Sequence, residues 1–115
     1  MTPALQWAVL MADLDPVRGS EQAGRRPVLV VSNEEFNQAM PNVTVLPLTS
    51  TQRRLYPSEV MLPRHTAGQP FDSIILAHQV RTIAKDRLVG PVGYLEDRAL
   101  RRAVRDAIRE HLDLD

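Results

Sequence analysis

The chain has no cysteine among its 115 residues, which excludes a disulfide framework and a thiolate metal site. Lysine is nearly missing too: Lys85 is the sole one, and every other basic residue is arginine. No apolar run approaches the ~20 residues needed to cross a bilayer. The N-terminus lacks a basic region followed by an apolar one, so no membrane association and a cytoplasmic location are expected. Net charge is absent as well, since 14 basic residues balance 14 acidic ones. Nucleic acid held by bulk electrostatics needs an excess of arginine and lysine on one face, so any such binding here is local.

Several catalytic classes are missing with equal clarity. His65, His78 and His111 show no HExxH spacing, and without cysteines a zinc site is not expected. There is no Walker loop and no GxGxxG motif, and Ser20 does not sit in a GxSxG elbow, so acyl transfer has little support. Asp13 and Asp15 share a face if the strand continues that far, but next to Pro16 they are read as shaping a turn.

What is present is an ordinary globular composition, 43% hydrophobic and 24% charged, which fits one folded domain over residues 1–115. Trp7 to Asp13 and Pro27 to Ser32 read as strands, the second apolar enough to be buried on both faces. Asn33 is placed to cap a short helical turn through EEFNQ. Val43 to Leu48 is a third strand in which Pro47 points to an edge or a bulge. Ser58 to Leu62 and Ser73 to Val80 follow, then short pieces around Thr82-Ile83 and Val89 to Tyr94, the latter broken by Gly90-Pro91 and Gly93. Leu100, Ala103, Val104, Ala107, Ile108 and Leu112 recur at helical spacing, with Glu96 and Asp97 at the start and five arginines elsewhere on the surface. Short strands, turns rich in glycine and proline, and one closing helix indicate a small antiparallel barrel or twisted sheet.

The segment from Asp15 to Asn33, DPVRGSEQAGRRPVLVVSN, concentrates the chemistry. Gly19 and Gly24 bracket a polar loop where positive φ is called for. Arg26 precedes Pro27, so its backbone is pushed extended and anchored by the strand behind it. Such a guanidinium suits a phosphodiester and its transition state, while an "RR" at a strand start also reads as a solvated turn. A guanidinium holds its proton tightly, so Arg26 is a poor base, and Glu21 is the nearby candidate for that role. Thr49 and Ser50 end the third strand, where their hydroxyls serve either a phosphate oxygen or the turn itself.

Taken in order, GSEQAGRRPVLVVSN, TVLPLTS, YPSEVMLP and DSIILAHQVRTI resemble the MazF/PemK family of toxin endoribonucleases over nearly the whole chain. The resemblance implies a mainly β fold, an SH3-like antiparallel β-barrel (CcdB/PemK-like) with a C-terminal α-helix, acting as a homodimer. It implies cleavage of single-stranded RNA at short motifs with no metal or other cofactor, restrained by a cognate MazE-like antitoxin. By it, Arg26 and Thr49 carry the catalysis. The loop of Gly19, Ser20, Glu21 and Gln22 shapes the RNA groove, and Gln79 faces the same groove. If Arg26 points into the site, strand alternation sends Arg25 the other way, towards solvent or the phosphate backbone further along.

The family usually carries glycine and an acidic residue just before the first strand, where this chain has Trp7-Ala8. Trp7 is read as core or dimer contact ahead of a stacking platform for a base. Tyr56 and Phe71 are likewise read as core or interface. Arg53 and Arg54 are placed either in solvent or against RNA or an acidic antitoxin tail. The competing function is a non-catalytic CcdB-like toxin that binds DNA gyrase, and the intact Arg26 and Thr49 motifs favour the nuclease. An inactive regulatory paralogue ranks last, because no catalytic position is lost.

Overall fold

The fold comes from a computed structural model, which describes residues 3–15, 19, 21 and 24–115. Among these residues seven strands form one antiparallel sheet. They are β1 (Ala8–Asp13), β2 (Arg25–Val30), β3 (Asn42–Thr49), β4 (Glu59–Leu62), β5 (Ser73–Leu76), β6 (Arg81–Ala84) and β7 (Leu88–Tyr94). The order is β4-β5-β3-β2-β1-β7, with β6 paired to β3. Two helices complete the chain, α1 (Glu34–Ala39) and α2 (Arg98–Leu112). This is the mainly antiparallel, barrel-like sheet with a C-terminal helix that the resemblance implies.

Three elements depart from the pattern in the sequence, each for a local reason. Pro47 lies in the centre of the sheet and not at an edge: β3 pairs with β2 on one side and with β5 and β6 on the other. The proline is accommodated because the β2–β3 ladder ends where Pro47 stands opposite Val28, so no further N–H is demanded of it. The strand read over Ser73 to Val80 stops at Leu76, and Ala77–Gln79 form a 3-10 turn before β6. The registers of β5 and β6 on β3 differ by three residues, the length of that turn, which bends the sheet at this point. Conversely β7 runs unbroken through Gly90, Pro91 and Gly93, and their irregularity appears as two register shifts against β1.

The sheet does not close by hydrogen bonding, since β4 and β7 are its edges. The β4–β5 loop bridges the gap by backbone packing. A Cβ on Gly68 would stand 2.3 Å from the Val92 carbonyl oxygen, and one on Gly93 would stand 2.4 Å from that of Ala67. Only glycine permits so close an approach.

Both helices start where their caps predict. The Asn33 side chain accepts a hydrogen bond from the Phe36 amide at 2.8 Å, and Asp97 accepts one from Leu100 at 2.9 Å. Helix α2 buries Val104 and Ala107, with Leu100, Ala103 and Ile108 packed beside them against a core that includes Leu29, Leu46 and Ile75. Each fully buried Leu or Ile there contributes about 1.5–3 kcal/mol. Leu112 is 49% exposed, so the apolar stripe leaves the core before the helix ends. Trp7 is 6% exposed and belongs to this core, which removes it as a stacking platform. Its φ is +70°, a conformation that glycine adopts readily and a bulky residue rarely does.

Candidate active site

The polar loop after β1 is anchored at its stem. Leu14 donates to the Gly24 carbonyl at 3.0 Å, and Gly24 donates to the Asp15 carboxylate at 2.9 Å. Asp15 donates in turn to the Asp13 carboxylate at 3.1 Å, so both aspartates do shape the turn. Arg81 and Arg87 reach in from β6 and the β6–β7 connection to donate to the carbonyls of Leu14 and Asp13, at 3.2 and 3.1 Å. Gly19 and Gly24 have φ of +61° and +73°, as the sequence requires. Ser20 and Gln22 lie outside the described residues.

Beyond this stem, β2 and β3 part. With the ladder finished at Val28 and Pro47, Arg26 and Thr49 extend past it and line a cavity of about 320 Å³. Arg26 is half-buried and held in register opposite Ala12 of β1. Thr49 is 6% exposed, and its hydroxyl oxygen accepts from the Thr51 amide at 3.2 Å. That bond uses the oxygen as acceptor and leaves the hydroxyl hydrogen to be donated into the cavity. Ser50 and Arg25 line the same space. Arg25 therefore does not turn away from Arg26 as strict alternation requires; at the exposed first position of β2 its long side chain reaches the cavity rim.

The apolar part of this cavity comes from Met11, Pro27, Leu48, Pro70 and Phe71. Phe71 is 65% exposed and so is not core. Its loop is held firmly around it. The buried Gln69 amide donates to the Pro63 carbonyl at 2.7 Å, and Ser73 donates to the Phe71 carbonyl at 2.9 Å. Gln52 donates to the Asp72 carbonyl at 2.8 Å. An exposed ring on a fixed backbone beside Arg26 is a feature of this cavity that sequence reading missed. Periodicity gave no signal for it, because the residue lies in a loop.

Glu21 and Gln79 meet in a neighbouring cavity of about 220 Å³, lined also by Pro47, His78, Val80 and Arg81. Pro47 and Thr49 are two residues apart on β3, the strand repeat that places both on one face, so the two cavities adjoin along it. The structure thus brings Arg25, Arg26, Thr49 and Ser50 together and sets Glu21 and Gln79 alongside.

His78 is oriented by a carboxylate the sequence gave no reason to select. Glu59 has a fully enclosed side chain and takes both Arg53 nitrogens, at 2.8 and 2.7 Å. It also accepts from the Tyr56 amide at 2.7 Å and meets His78 Nε2 at 3.0 Å. Arg53 foremost, with the Tyr56 and His78 contacts, holds the Glu59 carboxyl down at about 2, against the opposing effect of burial. Arg53 is consequently a structural cation, stacked 4.7 Å from the centre of the Tyr56 ring. Tyr56 itself is 60% exposed.

Comparison with known proteins gives this arrangement a family. Residues 5–112 match the family described as PemK-like, MazF-like toxin of type II toxin-antitoxin system. The chain is 38% identical over 111 residues to endoribonuclease MazF9 of Mycobacterium tuberculosis, covering 92% of this chain and 93% of that protein. It is 42% identical over 90 residues to endoribonuclease EndoA of Bacillus subtilis, covering 77% and 78% of the two chains. Among solved structures it superposes on a mycobacterial endoribonuclease in complex with its cognate antitoxin, with a TM-score of 0.79 at 27% identity, covering 99% and 98% of the chains. The chain belongs to the PemK/MazF family of toxins of type II toxin–antitoxin systems.

Proposed function

We propose that this MazF-type endoribonuclease toxin cuts single-stranded RNA at short specific sequences without a metal ion. The ribose 2′-hydroxyl attacks the adjacent phosphorus, the 5′-oxygen leaves, and the products carry a 2′,3′-cyclic phosphate and a 5′-hydroxyl. The nucleophile belongs to the substrate, so the protein needs only to position the phosphodiester and stabilise its dianionic transition state. The observation that carries the reading is that Arg26 and the buried Thr49 hydroxyl line one open cavity at the end of the β2–β3 ladder.

In this scheme Arg26 supplies charge to the phosphoryl oxygens and Thr49 donates its hydroxyl hydrogen to one of them. Glu21, in the adjoining cavity, accepts the 2′-hydroxyl proton. Arg25 and Ser50 hold the flanking phosphates, and Gln79 reads a base beside Glu21, with Gly19, Ser20 and Gln22 shaping the rest of the groove. Requirement for the 2′-hydroxyl restricts the substrate to RNA. A MazE-like antitoxin is the proposed inhibitor, supported by the complex of a related endoribonuclease with its cognate antitoxin. The functional unit is a cytoplasmic homodimer. Arg26→Ala tests the assignment: it should abolish cleavage of an unstructured RNA in EDTA while the protein stays folded. Wild-type cleavage by that variant would remove Arg26 from the site.

A further inference from the structure

The chain carries no net charge, yet five of its 14 basic residues stand on one side of α2. Arg98 stands three and four residues before Arg101 and Arg102, these stand four and three before Arg105, and Arg109 follows four later, so each has a helical neighbour among the others. Together they line a groove of about 330 Å³ to which no other described residue contributes. Like charges at this spacing repel, and the helix would be more stable with carboxylates interleaved. One is present: Asp106 pairs with Arg109 at 3.0 Å.

The side chains are not simply splayed into water. Arg101 and Arg105 lie 5.3 and 5.0 Å from the centre of the Trp7 ring. Arg101 also donates through Nε to the Leu95 carbonyl at 2.6 Å. A buried indole at the margin of the core thus holds two guanidinium groups side by side along the flank of the apolar stripe. Arg98 and Arg102, both exposed, make no hydrogen bond or ion pair among the described residues.

We propose that this arginine face is a second RNA-binding site, which takes the phosphodiester backbone of the strand outside the cleavage cavity without regard to sequence. Planar guanidinium forks match phosphate oxygens two at a time. The alternative occupant, an acidic peptide, is disfavoured by the lining: a stable peptide site needs an apolar anchor at its centre, and this groove offers arginine alone. The groove shares no lining residue with the cavity of Arg26 and Thr49.

The proposal rests on the ribonuclease reading, and its test separates the two. The triple variant R98Q/R102Q/R105Q leaves Arg26 and Thr49 untouched and changes two wholly unpaired side chains and one stacked, exposed one. Binding is measured against salt with a long 2′-O-methyl oligonucleotide, which lacks the attacking hydroxyl. Cleavage is measured on a short RNA that spans only the cavity. The variant should bind the long strand roughly tenfold more weakly, with a log–log salt slope shallower by about 2, as loss of three single-strand phosphate contacts requires. It should cleave the short RNA at the wild-type rate, and R98K/R102K/R105K should restore the slope. Equal affinity and equal slope for wild type and triple variant would overturn the proposal while leaving the nuclease intact. Unchanged RNA binding with lost inhibition by an acidic antitoxin would also overturn it, assigning the face to a protein partner. If wild type cuts no RNA, the function itself falls.

Discussion

Arg53 grips Glu59 with both terminal guanidinium nitrogens, at 2.8 and 2.7 Å, and the carboxylate so held is the one that meets His78. This contact fixes the loop between β3 and β4 and orients a side chain of the Glu21–Gln79 cavity. Glu59 has a folded-state pKa of about 2 against an ordinary 4.5. A carboxyl depressed on folding stabilises above its unfolded pKa, and that contribution fades as pH falls from 4.5 towards 2. Glu59→Gln should therefore cost about 1–3 kcal/mol near neutral pH and flatten the acid limb of the stability curve. Thermal melts of both proteins from neutral to strongly acidic pH measure this directly. Parallel acid limbs would show that Glu59 is not the group responsible.

Thr49→Ala removes a hydroxyl that lines the Arg26 cavity and is proposed to donate there. Loss of one donor aimed at transition-state charge costs about 10²–10³ in rate. Single-turnover cleavage should slow by that order while the affinity for uncleavable RNA stays close to wild type. Weakened affinity at an unchanged rate would make Thr49 a binding residue.

Phe71→Ala addresses the exposed ring beside the same cavity. Base stacking on an aromatic side chain is worth about 1–3 kcal/mol, so RNA affinity should fall by that amount with little change in melting temperature. A loss of stability equal to the loss of affinity would contradict a stacking role.

Trp7→Ala should be the most destabilising of these changes. It leaves a cavity in the core and a residue at φ +70°, and a buried tryptophan truncation costs about 3–5 kcal/mol. Trp7→Gly relieves the backbone and should recover part of that loss. A chemical-denaturation comparison of the two variants separates packing from conformation, and equal stabilities would mean that the left-handed backbone carries no strain.

Much of this protein is written locally, and those parts were legible. Asn33 and Asp97 announce their helices because a cap depends on three or four adjacent residues, and the buried strand after Pro27 is one apolar run. The 3-10 turn at Ala77–Gln79 is hidden inside another such run, since nothing local distinguishes a kinked strand from a straight one. The partnership of Arg53, Tyr56, Glu59 and His78 is equally hidden, because it joins a loop, a strand and that turn only after the sheet has formed. Arg26 and Thr49 were singled out through motif order, whereas the exposure of Phe71 depends on Gln69, Gln52 and Ser73 holding its loop in place. The left-handed backbone of Trp7 has no local signal, because a bulky residue at positive φ is rare.

The central claim is that Arg26 and Thr49 direct the substrate's own 2′-hydroxyl at the adjacent phosphorus. Its most direct test is to incubate a long, unstructured RNA with the pure protein in EDTA and to sequence and type the ends of the fragments. Cuts at one short motif, leaving 2′,3′-cyclic phosphate and 5′-hydroxyl termini, are the predicted result. Fragments with 3′-hydroxyl and 5′-phosphate ends, or cutting that vanishes with the chelator, would contradict it.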